Sequence, residues 1–186
     1  RETVMTFTQA QLIALLPLLI TAGTVVIVML AIAFKRNHWW NATLTVVGLN
    51  AALFSLLLIA PNGLDDIVPQ AVTPLLVVDG YACFYMALIL VSTLACVTLA
   101  HAYMEGFNGN REEIYLLLGL ACAGGLVLAC SRHLAGLFIG LELLSVPVYG
   151  MVAYTFRQNR SLEAGIKYMV LSAAGSAFLL FGMAVL

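Results

Sequence analysis

The chain has 186 residues, 63% of them hydrophobic and 9% charged, and a formal net charge of −1. Soluble domains carry roughly 25% charged residues, so composition excludes a water-soluble globular fold, and the lack of a basic balance removes nucleic acid as a partner. With a mean hydropathy of +1.05, the expected fold is all-α: a polytopic bundle of transmembrane helices in the lipid bilayer. Helices satisfy their own backbone polar groups where water is absent.

The chain opens RETVMTFT. Arg1 does not initiate translation, so Met5 is the expected start and residues 1–4 an upstream or added piece. The first apolar run is too long, and has no basic leader, for a cleavable signal peptide. A span needs about 20 mostly apolar residues. Six segments qualify: 12–34, 40–60, 81–103, 114–130, 134–156 and 162–186. The closing run FLLFGMAVL has no polar end, so the expectation is a fragment of a longer protein.

Most connections are short. The exception, PNGLDDIVPQAVTPLLVVDG, contains three prolines and two glycines and argues against a regular helix there. Asp79-Gly80 reads as the entry to the third span, with Asp79 as N-cap. Lys35, Arg36, Arg111, Arg157 and Arg160 all fall on one side of a six-span alternation, against Arg1 and Arg132 with Asp65 and Asp66 on the other. Positive loops stay in the cytoplasm, which places the N-terminus outside. Trp39 and Trp40 then lie at the cytoplasmic interface. Small residues four apart, Gly136/Gly140 and Ala121/Gly125/Ala129, with Ala173/Ala177, mark expected close helix contacts.

Glu142 lies far inside the fifth span. An ionisable group at that depth costs about 2.5–3.5 kcal/mol on insertion scales. A glutamate cannot snorkel out from there, and depth favours its uncharged form, so it is suited to holding and releasing a proton. Five residues on, Pro147 leaves the Leu143 carbonyl without its helical donor. Glu163 and Lys167, at i and i+4 on the sixth span, share a face and can pair. Snorkelling is the competing reading for Lys167. Glu142 and Lys167 differ in depth by roughly 12 Å, so waters or side chains must join them; Ser145, Tyr149, Ser172 and Ser176 are the candidates. A structural hydrogen bond is the competing reading for Glu142.

The cysteines, Cys83, Cys96, Cys122 and Cys130, make no CxxC or CxxH pattern and read as small buried side chains rather than metal ligands. His38, His101 and His133 read as scattered, solvated interface residues. No phosphate loop, dinucleotide fingerprint or zinc pattern appears. No cofactor is expected on this chain, and no metal.

The run HLAGLFIGLELLSVPVYGMVAYTFRQNRSLEAGIKYMVLSAAGSAFLLFGMA, with NATLTVVGLNAALFSLL and VDGYACFYMALILVSTLA before it, resembles the antiporter-like membrane subunits of bacterial NADH-quinone oxidoreductase, respiratory complex I, and within them the subunit N family. The resemblance covers the chain from about Met5. It implies three leading helices (1–104) and then a truncated first antiporter-like repeat (112–186), together one membrane domain. It implies that Glu142, Glu163 and Lys167 are proton-relay residues, with no redox chemistry on this chain. The parent complex would supply NADH, flavin, iron–sulfur clusters and quinone, and the partners would be its other membrane subunits. A full member has two inverted repeats; a chain ending here would lack the second, and is not expected to pump alone. Two other readings remain open: a cation/proton antiporter-type subunit with no quinone link, and a structural or assembly fragment.

Overall fold

The computed structural model describes residues 8–59, 67–106, 109–155 and 159–186. They form six membrane-length helices: α1 (Gln9–Phe34), α2 (His38–Ile59), α3 (Gly80–Met104), α4 (Glu113–Cys130), α5 (Leu134–Val152) and α6 (Asn159–Val185). All six expected spans are present, and each begins within three residues of the expected position. Arg1, Met5, Asp65, Asp66 and Arg157 lie outside the described residues.

Local chemistry sets the helix ends. Gln11 Oε1 accepts the Thr8 amide at 3.0 Å and opens α1. Asn37 Oδ1 accepts from the amides of Trp39 and Trp40 at the head of α2. Asp79 Oδ1 accepts the Ala82 amide at 2.7 Å, the expected N-cap of α3. At α5 the cap is His133, whose Nδ1 accepts from the Ala135 amide.

α5 stops at Val152 rather than continuing to 156. The chain turns there: the Tyr154 amide donates to Met151 O, and the Tyr154 hydroxyl donates to Asn110 O at 2.6 Å while accepting from the Ile114 amide. One phenol thus ties the end of α5 to the start of α4. Burial pushes this phenol up to about 12.

The long connection is not featureless. Gln70–Ala71 (β1) and Val77–Val78 (β2) pair antiparallel, Gln70 opposite Val78. Leu76 bridges to Ser131, the Arg132 amide donates to Leu75 O, and Gln11 Nε2 donates to Ala71 O. The hairpin is therefore sewn across the ends of α1 and α4. Two-residue strands carry too little alternation to be read from sequence.

α1 to α4 share a core whose largest buried side chains include Tyr115, Leu49, Met86, Leu90 and Leu126. α4 is its hub, packing on α1, α3 and α5, while α6 packs on α5. Close approach rests on glycine. A Cβ on Gly48 of α2 would meet the Thr24 side chain of α1, and one on Gly119 would meet Val25. Between α4 and α5 the backbones themselves meet: a Cβ on Gly124 would lie 2.4 Å from the Leu144 nitrogen, and one on Gly140 would lie 2.9 Å from the Leu128 nitrogen. The Gly136/Gly140 expectation holds. Gly140 meets the Leu128 backbone and Gly136 the Ser131 side chain; Gly124 of α4 separately meets the Leu143–Leu144 backbone, and the Ala121/Gly125/Ala129 stripe is a different face. The stripe lies one residue position round the helix, facing a groove beside α3. Spacing of small residues reveals a face, but adjacent glycines leave open which face meets which helix.

Candidate functional site: a polar seam between α5 and α6

Glu142 sits near the middle of α5, about 12 Å from its first residue at 1.5 Å per residue. It is half-buried. Its Oε1 accepts a hydrogen bond from the hydroxyl of Ser176 on α6. Two turns along α5, Tyr149 donates through its hydroxyl to Ser172 Oγ at 2.5 Å. The Tyr149 ring also stands edge-on to Tyr168, 5.4 Å between centroids. Tyr168, Ser172 and Ser176 are four residues apart, so α6 presents them on one face, and Glu142 and Tyr149 meet that face from α5.

Farther along α6, Lys167 Nζ donates to Glu163 Oε1 at 2.5 Å. Both side chains are exposed, 70% and 62%. Lys167 does not reach Glu142: nine residues of α6 separate Lys167 from Ser176, on the order of 14 Å. The seam thus runs from Glu142 through Ser176, Ser172, Tyr149 and Tyr168 toward the Lys167–Glu163 pair. Of the four hydroxyls expected to bridge, Ser145 is outside it. Its hydroxyl donates to Leu141 O of its own helix at 2.7 Å, the usual fate of a serine inside an apolar helix. Tyr168 was not anticipated; its place four residues before Ser172 was the available signal.

Pro147 is buried, and its missing amide leaves the Leu143 carbonyl unpaired within the helix one residue from Glu142. The same α5 segment touches Gly124 of α4. The region beside the carboxylate therefore combines a gap in the helix ladder with close backbone packing.

The histidines differ from the sequence expectation. His38 and His101 are stacked, ring centroids 4.5 Å apart and 8° from parallel. The Tyr115 hydroxyl lies 3.2 Å from His101 Nδ1 and 3.3 Å from His38 Nε2. Glu105 is 4.0 Å from His101, and Arg36 pairs with Glu113 at 3.5 Å beside them. These residues come from α2, α3 and α4 and from the loops that join helices at one end of the bundle. No sequence spacing encodes such a meeting. His133 alone is exposed and local, as a helix cap.

Among the described residues, no group of three or more His, Cys, Asp or Glu side chains is placed to hold a metal ion. The four cysteines are free, and Cys83, Cys122 and Cys130 are buried as expected while Cys96 is exposed.

Known proteins resemble this chain in sequence and in helix arrangement. Residues 131–186, which hold the whole seam, match the family model described as NADH:quinone oxidoreductase/Mrp antiporter, TM. NADH-quinone oxidoreductase subunit N of Ectopseudomonas mendocina (strain ymp) is 62% identical over 97% of this chain, and the chain spans 36% of that protein's length. A chain in the structure of respiratory complex I from Thermus thermophilus superposes with a TM-score of 0.74 at 34% identity, covering 90% of this chain and 35% of that one. A chain of an archaeal membrane-bound sulfane sulfur reductase superposes with a TM-score of 0.72 over 94% of this chain and 36% of that one. At 19% identity it shares the fold alone. Sequence and helix arrangement together align this multi-pass membrane chain with the N-terminal portion of NADH-quinone oxidoreductase subunit N.

Proposed function

We propose that this chain forms part of the proton path in the membrane arm of a proton-translocating NADH:quinone oxidoreductase, with Glu142 as its central proton-holding group. The observation that carries the reading is the Glu142–Ser176 hydrogen bond in mid-membrane, at the head of a polar seam on α6. Lipid penalises an isolated carboxylate, so such a group is expected to serve a path or pair with a partner. Ser176 and Ser172 each donate and accept, as a relay step requires. Pro147 frees a carbonyl that can hold a water close to Glu142. Lys167 and Glu163 form the terminal station: the pair exchanges protons with solvent and biases the seam through its charge. In the same reading, residues 1–104 are three leading helices and residues 112–186 belong to the first antiporter-like repeat. The basic end, with Lys35, Arg36 and Arg160, faces the cytoplasm of a bacterial inner membrane, and the N-terminus faces the periplasm. Other membrane subunits of the complex are the partners. NADH, flavin, iron–sulfur clusters and quinone belong to those other subunits.

A second reading, a cation/proton antiporter-type subunit without a quinone link, has support in the shared description of the matching family model. The 62% identity to a quinone oxidoreductase subunit weighs against it.

The test is Glu142→Gln in the whole complex. It keeps size and hydrogen bonding and removes ionisation. Assembly is expected to be normal, while coupled quinone reduction and proton uptake fall by at least about tenfold, equivalent to ~1.4 kcal/mol of barrier. Glu142→Asp should keep part of the rate. Wild-type rates in Glu142→Gln would reduce the residue to a structural hydrogen-bonding group.

A further inference from the structure

A second feature lies away from the seam. Between α3 and α4 runs a cavity of about 930 Å3, lined through its length by Ile89, Ala121, Gly125 and Leu144. None of the seam residues lines it. Along α3 the lining extends from Tyr81 to Cys96, roughly 22 Å at about 1.5 Å per residue. That is the depth of one leaflet with its headgroup, half of a ~40–45 Å bilayer.

One end of the groove differs in chemistry. Where α3 begins and α4 ends, its lining is Asp79, Tyr81, Ser131 and Arg132. Arg132 is anchored by its amide, which donates to Leu75 O. Its side chain is exposed and makes no ion pair with another described residue. Asp79 uses Oδ1 to cap α3; its other oxygen retains acceptor capacity. The Tyr81 and Tyr85 rings, 4.5 Å apart, stand at the same end, where aromatic residues favour the headgroup level.

We propose that this groove binds a phospholipid with a phosphoethanolamine headgroup. The phosphate pairs with Arg132, the ammonium with Asp79, and one acyl chain lies along α3 and α4. Charge complementarity selects this occupant. A packed apolar helix would strip water from both charges and offer neither a counter-charge. A glycerol-headed anionic lipid satisfies Arg132 but brings no cation to Asp79. The small side chains at Ala121 and Gly125 give the chain its room.

The test reconstitutes the protein in vesicles of equal parts phosphatidylethanolamine and phosphatidylglycerol, extracts it in mild detergent, and identifies the retained lipid by mass spectrometry. Wild type should retain phosphatidylethanolamine in preference. Arg132→Gln should lose most of it, and Ala121→Phe should exclude both lipids by filling the groove. Asp79→Asn still caps α3, so the fold is kept while the headgroup preference falls to the vesicle ratio. A benzophenone maleimide on Cys96, which lines the groove and is exposed, should cross-link to lipid. Equal retention in wild type, Arg132→Gln and Ala121→Phe, retention of both lipids alike by wild type, or a cross-link to protein would each overturn the assignment.

Discussion

α4 and α6 are both long and apolar enough to cross a membrane, yet they solve the problem in opposite ways. α4 has 18 residues and buries Tyr115, Gly119, Cys122, Ala123, Gly124, Gly125, Leu126 and Cys130. α6 has 27 residues and buries only Gly165. Hydropathy hardly separates the two, at 2.0 and 1.8. What separates them is the number of neighbours: α4 packs on α1, α3 and α5, and α6 on α5. α4 gives glycine to α1, α3 and α5, so backbones approach and dispersion contacts accumulate. α6 meets α5 through hydroxyls and a carboxylate, and elsewhere exposes Leu171, Phe178 and Phe181. Close packing makes α4 a rigid hub. In the proposed function, the polar contact makes the α5–α6 seam the place where protons move.

The comparison breaks most readily at Gly124. Gly124→Leu places side-chain atoms where the Leu144 backbone stands, so overpacking should cost at least ~1–3 kcal/mol and lower the thermal midpoint in detergent sharply. Gly175→Ala on α6 is the control: its Cβ would meet nothing within 4 Å. It should leave the midpoint unchanged or raise it slightly, since alanine favours a helix by up to about 1 kcal/mol over glycine. Similar losses at both sites would mean that α6 is as tightly packed as α4.

The seam itself is sharpened by a double-mutant cycle. Ser176→Ala and Glu142→Ala, singly and together, should give a coupling energy of roughly 0.6–1.7 kcal/mol, the range for hydrogen bonds between membrane helices. Additive effects on unfolding in detergent would show that the two residues do not interact.

A smaller effect is expected at Tyr154, which links α4 to the turn after α5. Tyr154→Phe removes hydrogen bonds to Asn110 and Ile114 and should cost about 1 kcal/mol. It also has a pH signature. The phenol is raised from 10.0 to about 12, chiefly by burial, so the folded state holds the proton more tightly than the unfolded one. Its contribution is complete below pH 10 and is lost as pH rises toward 12. Melting temperatures across that window should fall less steeply in Tyr154→Phe than in wild type.

The smallest effect separates the histidine cluster from the seam. Tyr115→Phe removes the hydroxyl shared by His38 and His101 but leaves the ring in the core. Quinone reductase activity of the whole complex should stay close to wild type. A loss as large as that of Glu142→Gln would extend the proton path to this end of the bundle.

Apolar run length determined the six spans, because lipid leaves the backbone no other way to satisfy its polar groups. The cap at Asp79 was legible, since an aspartate before a glycine-led helix has one favourable use for its side chain. So were Glu142 as an anomaly of depth and Glu163–Lys167 as a helical pair, because both follow from position on one helix. What depends on two helices was not legible. Ser176 rather than Ser145 meets Glu142, and Gly124 meets the α5 backbone while Gly125 faces the side chains of Ile89 and Leu144, because helix rotation is set by packing and not by either helix's own pattern. His38 and His101 lie 63 residues apart and stack because three helix ends converge on Tyr115. The fold alone brings such residues together, since their meeting depends on how the helices pack.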